Sequence, residues 1–230
     1  MQWRVCCRYI AALFNHVMLF VVQLPTLQYE KRLWRTGCAR IAGVDEVGRG
    51  ALAGPVVAAA VIFSPDAAQK LLRKVRDSKK LTELAREQLY EELAASADAW
   101  EVGIVSHRAI DRINVVNATL GAMREAIKKF AATPGHVLLD GYFSPKALKR
   151  KLHDIAAPCE CIIRGDAHVF SIAAASVIAK VTRDRIMRAL HQKYPQYGFG
   201  EHKGYGTALH YKMLRLHGPS VIHRKSFFLG

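Results

Sequence analysis

A chain of 230 residues, 51% hydrophobic and 23% charged, can bury one sizeable core, which excludes a disordered segment. Its 34 Lys and Arg against 19 Asp and Glu leave a net charge of +15, which disfavours cationic partners and favours a polyanion, nucleic acid above all. Ten of the basic residues and only two acidic ones fall between Lys180 and Gly230, although a basic solvated face is the bland reading of such an excess.

In chain order, Arg4 and Arg8 precede an apolar run from Tyr9 to Leu24 that Asn15, His16 and Gln23 interrupt. It has the look of a signal peptide without a small-residue cleavage site, and it is short for a membrane span of roughly 20 apolar residues. Residues 1–25 are therefore expected outside the fold, with Met18 as an alternative start of translation. Ile41 to Val47 and Gly54 to Phe63 are apolar, β-branched runs around a glycine-rich turn and predict two strands. Thr82 is placed to cap a helix over the following residues. Trp100 to Ser106 alternates as a third strand, and Val115 to Phe130 has helical periodicity. His136 to Asp140 predicts a short strand ending on a carboxylate. Cys159 to Arg164 predicts a fifth strand, followed by a long helix from about His168 to His191. Pro195 to Gly206 is expected to be a loop, and Thr207 to His217 a final helix stopped by Gly218-Pro219. Strands followed by alternating helices and strands point to an α/β sheet with helices on its faces.

Five cysteines (Cys6, Cys7, Cys38, Cys159, Cys161) make an odd count without a disulfide framework. Cys159-x-Cys161 lacks the second pair that a zinc site needs, so free thiols and a reducing cytoplasm are expected.

Asp45 with Glu46, Asp140 and Asp166 share one kind of position, the end of an apolar strand. Carboxylates gathered there repel one another unless a cation neutralises them, and hard oxygen ligands select Mg²⁺ or Mn²⁺. Taken singly, such an Asp is more often a turn or helix cap. Gly48-Arg49-Gly50 follows the first acidic pair and can bring exposed N–H groups close to a ligand, although a bare Gly-x-Gly is usually an ordinary turn.

The run from Ile41 through Asp45-Glu46-Val-Gly48-Arg49-Gly50 to Pro55-Val-Val-Ala-Ala-Ala resembles the opening motif of bacterial ribonuclease HII. Further blocks follow in that family's order: Asp77-Ser78-Lys79-Lys80-Leu81, Leu139-Asp140-Gly141, and Gly165-Asp166 with Ser171 to Asp184. The last are Tyr197 to Thr207 and His217 to Phe227. The resemblance covers about residues 25 to 230. It implies an α/β ribonuclease H-like fold, a mixed five-stranded sheet flanked by helices, with a catalytic domain over 26–192 and a small helical extension over 193–230 that contacts substrate.

The same resemblance implies an endoribonuclease that hydrolyses the RNA strand of RNA–DNA hybrids, including single ribonucleotides embedded in DNA. It would cut on the 5′ side of the ribonucleotide, leave 3′-hydroxyl and 5′-phosphate ends, and serve ribonucleotide excision repair. Asp45, Glu46, Asp140 and Asp166 match the carboxylates that hold two divalent cations. Gly48, Arg49 and Gly50 match the motif that reads the 2′-hydroxyl, and Tyr205 the tyrosine that stacks on the neighbouring deoxyribose. Ser78, Lys79, Lys80, Lys203, Arg224 and Lys225 are expected on duplex backbone, with Ser78 equally suited to cap a helix. No membrane, no small-molecule cofactor and a monomer are expected.

Asp184 rivals Asp166 for the fourth carboxylate. It lies 18 residues further on, about 27 Å along a continuous helix, so both cannot touch one metal pair. Asp166 stands at the strand ends, and Asp184 is at i,i+4 spacing from Lys180 and Arg188. Two other classes remain as rivals: a DNA nuclease or integrase of the same fold, and an inactive hybrid-binding module. The Gly48-Arg49-Gly50 and Tyr205 matches disfavour the first, and the complete carboxylate set disfavours the second.

Overall fold

The structure, a computed structural model, describes residues 24–76 and 80–230. Its centre is a five-stranded sheet in the order β3-β2-β1-β4-β5, formed by β1 (Ile41–Val47), β2 (Val56–Ile62), β3 (Ala99–Val105), β4 (His136–Asp140) and β5 (Cys159–Ile162). β1 to β3 pair antiparallel, whereas β4 lies parallel to β1 and β5 parallel to β4. The sheet is therefore mixed, as the family resemblance implies.

β2 is buried at every position, which explains its uninterrupted apolar reading. One face, with Val44, Ala58, Ala60 and Leu139, packs on Leu120, Met123 and Ile127 of α5 (Val115–Lys128). The other, with Ala59 and Val61, packs on Phe170, Ala174 and Ile178 of α8 (Phe170–Lys193). α2 (Pro65–Arg76) and α3 (Glu83–Ser96) lie outside that second layer, and Thr82 Oγ1 accepts the Ala85 N–H as the expected N-cap. At Gly43 on β1, a Cβ would stand 2.2 Å from the backbone carbon of Ser171, so α8 lies directly on the strand. Residues 43 and 45 share a face. Asp45 therefore points toward α8.

The long helix expected from about His168 is two helices, α7 (Gly165–His168) and α8. Val169 between them is extended and pairs with Thr26, which donates its N–H to His168 O and accepts the Phe170 N–H. That pairing stops the helix, and no residue near Val169 signals it. Pro25 is buried, one residue before the expected domain boundary. Between them lie α1 (Gln28–Arg35) at the start, α4 (His107–Ile113) after β3 and α6 (Pro145–Lys151) after β4.

The segment expected as a loop, Pro195 to Gly206, holds a 3-10 turn at Pro195–Tyr197 and the short helix α9 (Phe199–His202). Gly198, Lys203 and Gly204 all have positive φ, which explains why the segment reads as irregular. α10 (Ala208–His217) follows, capped by Thr207. Residues 193–230 fold back on the stretch after β1 through bridges Ala51–Tyr205 and Ala53–His223. Among the described residues no helix is long and apolar enough to cross a membrane.

Candidate active site

β1 delivers Asp45 and Glu46 to the same sheet end to which β4 delivers Asp140. One carboxylate oxygen from each lies within 4.8 Å of the others. Asp45 is 5% exposed, its Oδ1 accepts the Glu46 N–H at 2.7 Å, and Ser176 of α8 hydrogen-bonds the carboxyl. Asp140 Oδ1 accepts the N–H of Gly165 at 2.5 Å and of Asp166 at 3.4 Å. Asp166, in the first turn of α7, thus sits beside Asp140 but outside the tight group of three.

The electrostatics of this cluster are unfavourable in isolation. Burial raises the Asp45 pKa well above the usual carboxylate range, and the charges of Glu46 and Asp140 add to it. Burial likewise raises Glu46, opposed by the Arg49 guanidinium at 3.3 Å. Asp140 is raised by burial and then by the charge of Asp166. Glu46 Oε2 is buried with no hydrogen-bond partner. An orphaned carboxylate oxygen among like charges and a donor set of oxygens alone fit a hard divalent cation.

Next to the cluster the chain turns sharply. Gly48 has φ 93°, and a Cβ there would stand 2.2 Å from Arg183 Nε, so only glycine fits. Arg49 and Gly50 are exposed. Tyr205 is half-buried on the same side, paired with Ala51, and the Arg183 guanidinium lies 5.2 Å from its ring centre.

Sequence comparison agrees with this geometry. The profile of the family described as Ribonuclease HII matches residues 42–229. The chain belongs to the ribonuclease HII family. Among its relatives is the Ribonuclease HII of Bacillus cereus strain G9842, 48% identical over 200 residues, 87% of this chain and 73% of that one. Among solved structures, the PCNA:RNase HII complex from Archaeoglobus fulgidus matches with a TM-score of 0.71 and 29% identity over 83% of this chain and 96% of that one. The ribonuclease H2 of Pyrococcus horikoshii OT3 matches with a TM-score of 0.68 and 28% identity, covering 83% and 94%. The chain is accordingly a ribonuclease H hydrolase with the ribonuclease H-like fold.

Within that ribonuclease HII frame, the residues expected on duplex backbone divide. Lys80 and Lys225 are exposed, whereas Ser78 and Lys79 lie outside the described residues. Arg224 corrects an expectation: it is 0% exposed and its guanidinium donates to the carbonyls of Gly48, Arg49 and Gly54, so it has no hand free for a phosphate. Lys203 is a second correction. It is 8% exposed, and its ammonium is taken by Gly200 O and lies 3.6 Å from Glu83. Asp184 pairs with Lys180 at 2.8 Å, while Arg188 turns to Glu83 and Glu87. Sequence reasoning missed Ser176 and Arg183. Arg183 stands among Lys180, Thr182, Asp184, Arg185 and Arg188, so its sequence neighbourhood reads as a solvated helix face and gave no signal of its burial.

Proposed function

We propose that this ribonuclease HII family member cleaves duplexes at ribonucleotides, on RNA–DNA hybrids and at single ribonucleotides embedded in DNA, as an excision-repair nuclease of the cytoplasm. The observation that carries it is the Asp45–Glu46–Asp140 cluster, buried at Asp45 and half-buried at the other two, with an orphaned oxygen on Glu46 and set beside the Gly48–Gly50 turn. Asp45, Glu46 and Asp140, joined by Asp166, would hold two cations of the Mg²⁺ or Mn²⁺ type. Such ions, when bound, make water a better nucleophile and neutralise charge building on a phosphate.

The chain's own groups supply orientation. Gly165 N–H and Ser176 fix the rotamers of Asp140 and Asp45, so the carboxylates meet an incoming phosphate preformed. The turn offers its backbone to the sugar on the 3′ side of the cut, and a 2′-hydroxyl is the atom by which RNA differs from DNA there. Tyr205 would pack on the next deoxyribose, its ring held by Arg183. In the reaction a water oxygen bonds to phosphorus and the P–O3′ bond 5′ of the ribonucleotide breaks. The leaving oxygen takes a proton to become a 3′-hydroxyl, and the phosphate stays on the ribonucleotide.

The test is a DNA duplex with one embedded ribonucleotide, incubated with the protein and Mg²⁺. A single cut 5′ of the ribonucleotide with 3′-hydroxyl and 5′-phosphate ends is expected. An intact ribonucleotide duplex beside a cleaved all-DNA duplex would overturn the reading in favour of a DNA nuclease. Tight binding without any cut would favour an inactive hybrid-binding module.

A further inference from the structure

We propose that Arg224, seconded by Arg183, is the positioning residue that turns the Gly48–Gly50 loop into a donor cradle and so sets its discrimination between ribose and deoxyribose. The inference rests on the sugar-reading role proposed above for that loop. Both arginines are 0% exposed, and every hydrogen-bond partner of either guanidinium is a backbone carbonyl. Arg183, from α8, takes Ala53, Pro55 and Lys203 at 3.2, 3.0 and 2.8 Å. Arg224, from the C-terminal extension, takes Gly48 at 2.7 Å, Arg49 at 2.9 Å and Gly54 at 3.0 and 3.1 Å. Asp184, adjacent to Arg183, is engaged by Lys180 instead.

Burying a guanidinium without a carboxylate is costly, several kcal/mol per ion even after relaxation. Apolar side chains would fill the same volume more cheaply, so packing alone does not explain two such cations side by side. What the cations fix is the direction of peptide planes. A trans peptide is planar, and its N–H points opposite to its C=O. No peptide bond in the described chain is cis. With the carbonyls of Gly48 and Arg49 both drawn inward by Arg224, the N–H groups of Arg49 and Gly50 must point outward. Among the described residues neither of these amides has a hydrogen-bond acceptor, and both residues are exposed.

Two adjacent outward amides suit an oxygen that a ribose has and a deoxyribose lacks. The buried positive charge behind them strengthens them as donors. The same pair of arginines also registers the loop against Tyr205. Arg183 lies under the tyrosine ring and binds Lys203 O, while Leu52 N–H donates to Gly204 O. Phe227 closes the other side, its ring centre 5.0 Å from the Arg224 guanidinium.

The test measures binding in EDTA by fluorescence anisotropy, with the full chain and two duplexes that differ by one ribonucleotide. The wild type is expected to prefer the ribonucleotide duplex; if it does not, the sugar-reading role itself fails, and that failure is visible without any variant. Arg224→Lys keeps the charge but cannot fork to three carbonyls. It should lose about tenfold in preference, the worth of roughly one hydrogen bond, while affinity for the all-DNA duplex changes by less than about twofold. A folded Arg224→Lys with undiminished preference overturns the inference. Should that variant not fold, Arg49→Pro against Arg49→Ala decides. Ala51 N–H closes a turn on Gly48 O, and neither central residue has positive φ, so proline is tolerated at its second position. Arg49→Pro deletes one outward N–H that Arg49→Ala keeps. A further loss of about fivefold in the proline variant supports the inference, and equal preference in the two overturns it.

Discussion

Asp45 shows how the site is held against its own stability. Its carboxyl is buried beside two others, and burial with like charge raises its pKa. A carboxyl whose folded pKa exceeds the unfolded one binds more protons when folded. Its stabilising contribution is present below the unfolded pKa and lost as pH rises through the folded value. Asp45→Asn should therefore abolish cleavage yet raise the melting temperature of the metal-free protein at pH 7–8, with the gain shrinking toward pH 4. Thermal melts in EDTA across that range, beside a cleavage assay, check both halves; normal cleavage by the variant would remove Asp45 from the cation-holding set. Two glycines offer a contrasting pair. At Gly103 a Cβ would meet Ala122 O at 2.0 Å, backbone against backbone, so Gly103→Ala should destabilise by about 2–4 kcal/mol in urea titration. At Gly121, within α5, the nearest atom is a Val105 methyl carbon at 3.8 Å, and Gly121→Ala should stabilise by about 0.5–1 kcal/mol. If the two variants shift the midpoint alike, the contact between α5 and β3 is wrongly described.

Among the elements, the C-terminal extension is tied together by a chain of neutral histidines whose protons can be placed. His210 Nδ1 faces Tyr205 O at 2.9 Å, so that nitrogen carries the proton and Nε2 accepts. His223 Nε2, 2.9 Å away, must then donate, which leaves its Nδ1 to accept the Ser220 N–H. His202 donates from Nε2 to Tyr197 O and accepts Gly204 N–H. A proton added to any ring sets one N–H against another. Burial lowers all three pKa values, with His223, next to His210, pushed down to about 4 from 6.5. The unfolded chain then binds more protons than the folded one, so stability present above pH 6.5 is lost as pH falls toward 4, by roughly 3 kcal/mol at most from His223. Urea denaturation at pH 7.5 and 5 should show that loss. His223→Gln, which has no titrating ring, should show less of it; an equal loss would place the acid sensitivity elsewhere. This element was also the least legible in the sequence. Its glycines and positive-φ Lys203 announce a break in periodicity, but the histidine pairing spans 13 residues and depends on two turns that bring His210 to His223. The sheet was legible because β2, buried on both faces, has to be apolar throughout, whereas the split at Val169 was not, since a partner 143 residues earlier makes it.

At the scale of the molecule, a net charge of +15 favours a polyanionic partner but does not name the residues that would meet it. The basic residues of the extension do different jobs: Arg224 and Lys203 are spent on carbonyls inside the protein, while Lys225 reaches solvent with its N–H anchored on Asp111. Sequence cannot separate these roles, because Arg224 and Lys225 are adjacent cations and only the fold turns the first inward and the second to solvent. Counterion release separates them in solution. Each phosphate neutralised by an exposed cation steepens the fall of duplex affinity with salt by about 0.9 in the log–log slope, whereas a buried cation already satisfied by carbonyls releases no ions on binding. Lys225→Ala should therefore flatten the slope by about one and weaken binding to all-DNA and ribonucleotide duplexes alike. Lys203→Met should leave the slope unchanged. Anisotropy titrations from about 50 to 200 mM salt give both values, a range over which the six or more contacts of a typical duplex binder cost about a thousandfold in affinity. A flattened slope for Lys203→Met would mean that its ammonium leaves Gly200 and Glu83 to meet the duplex, and that the extension opens on binding.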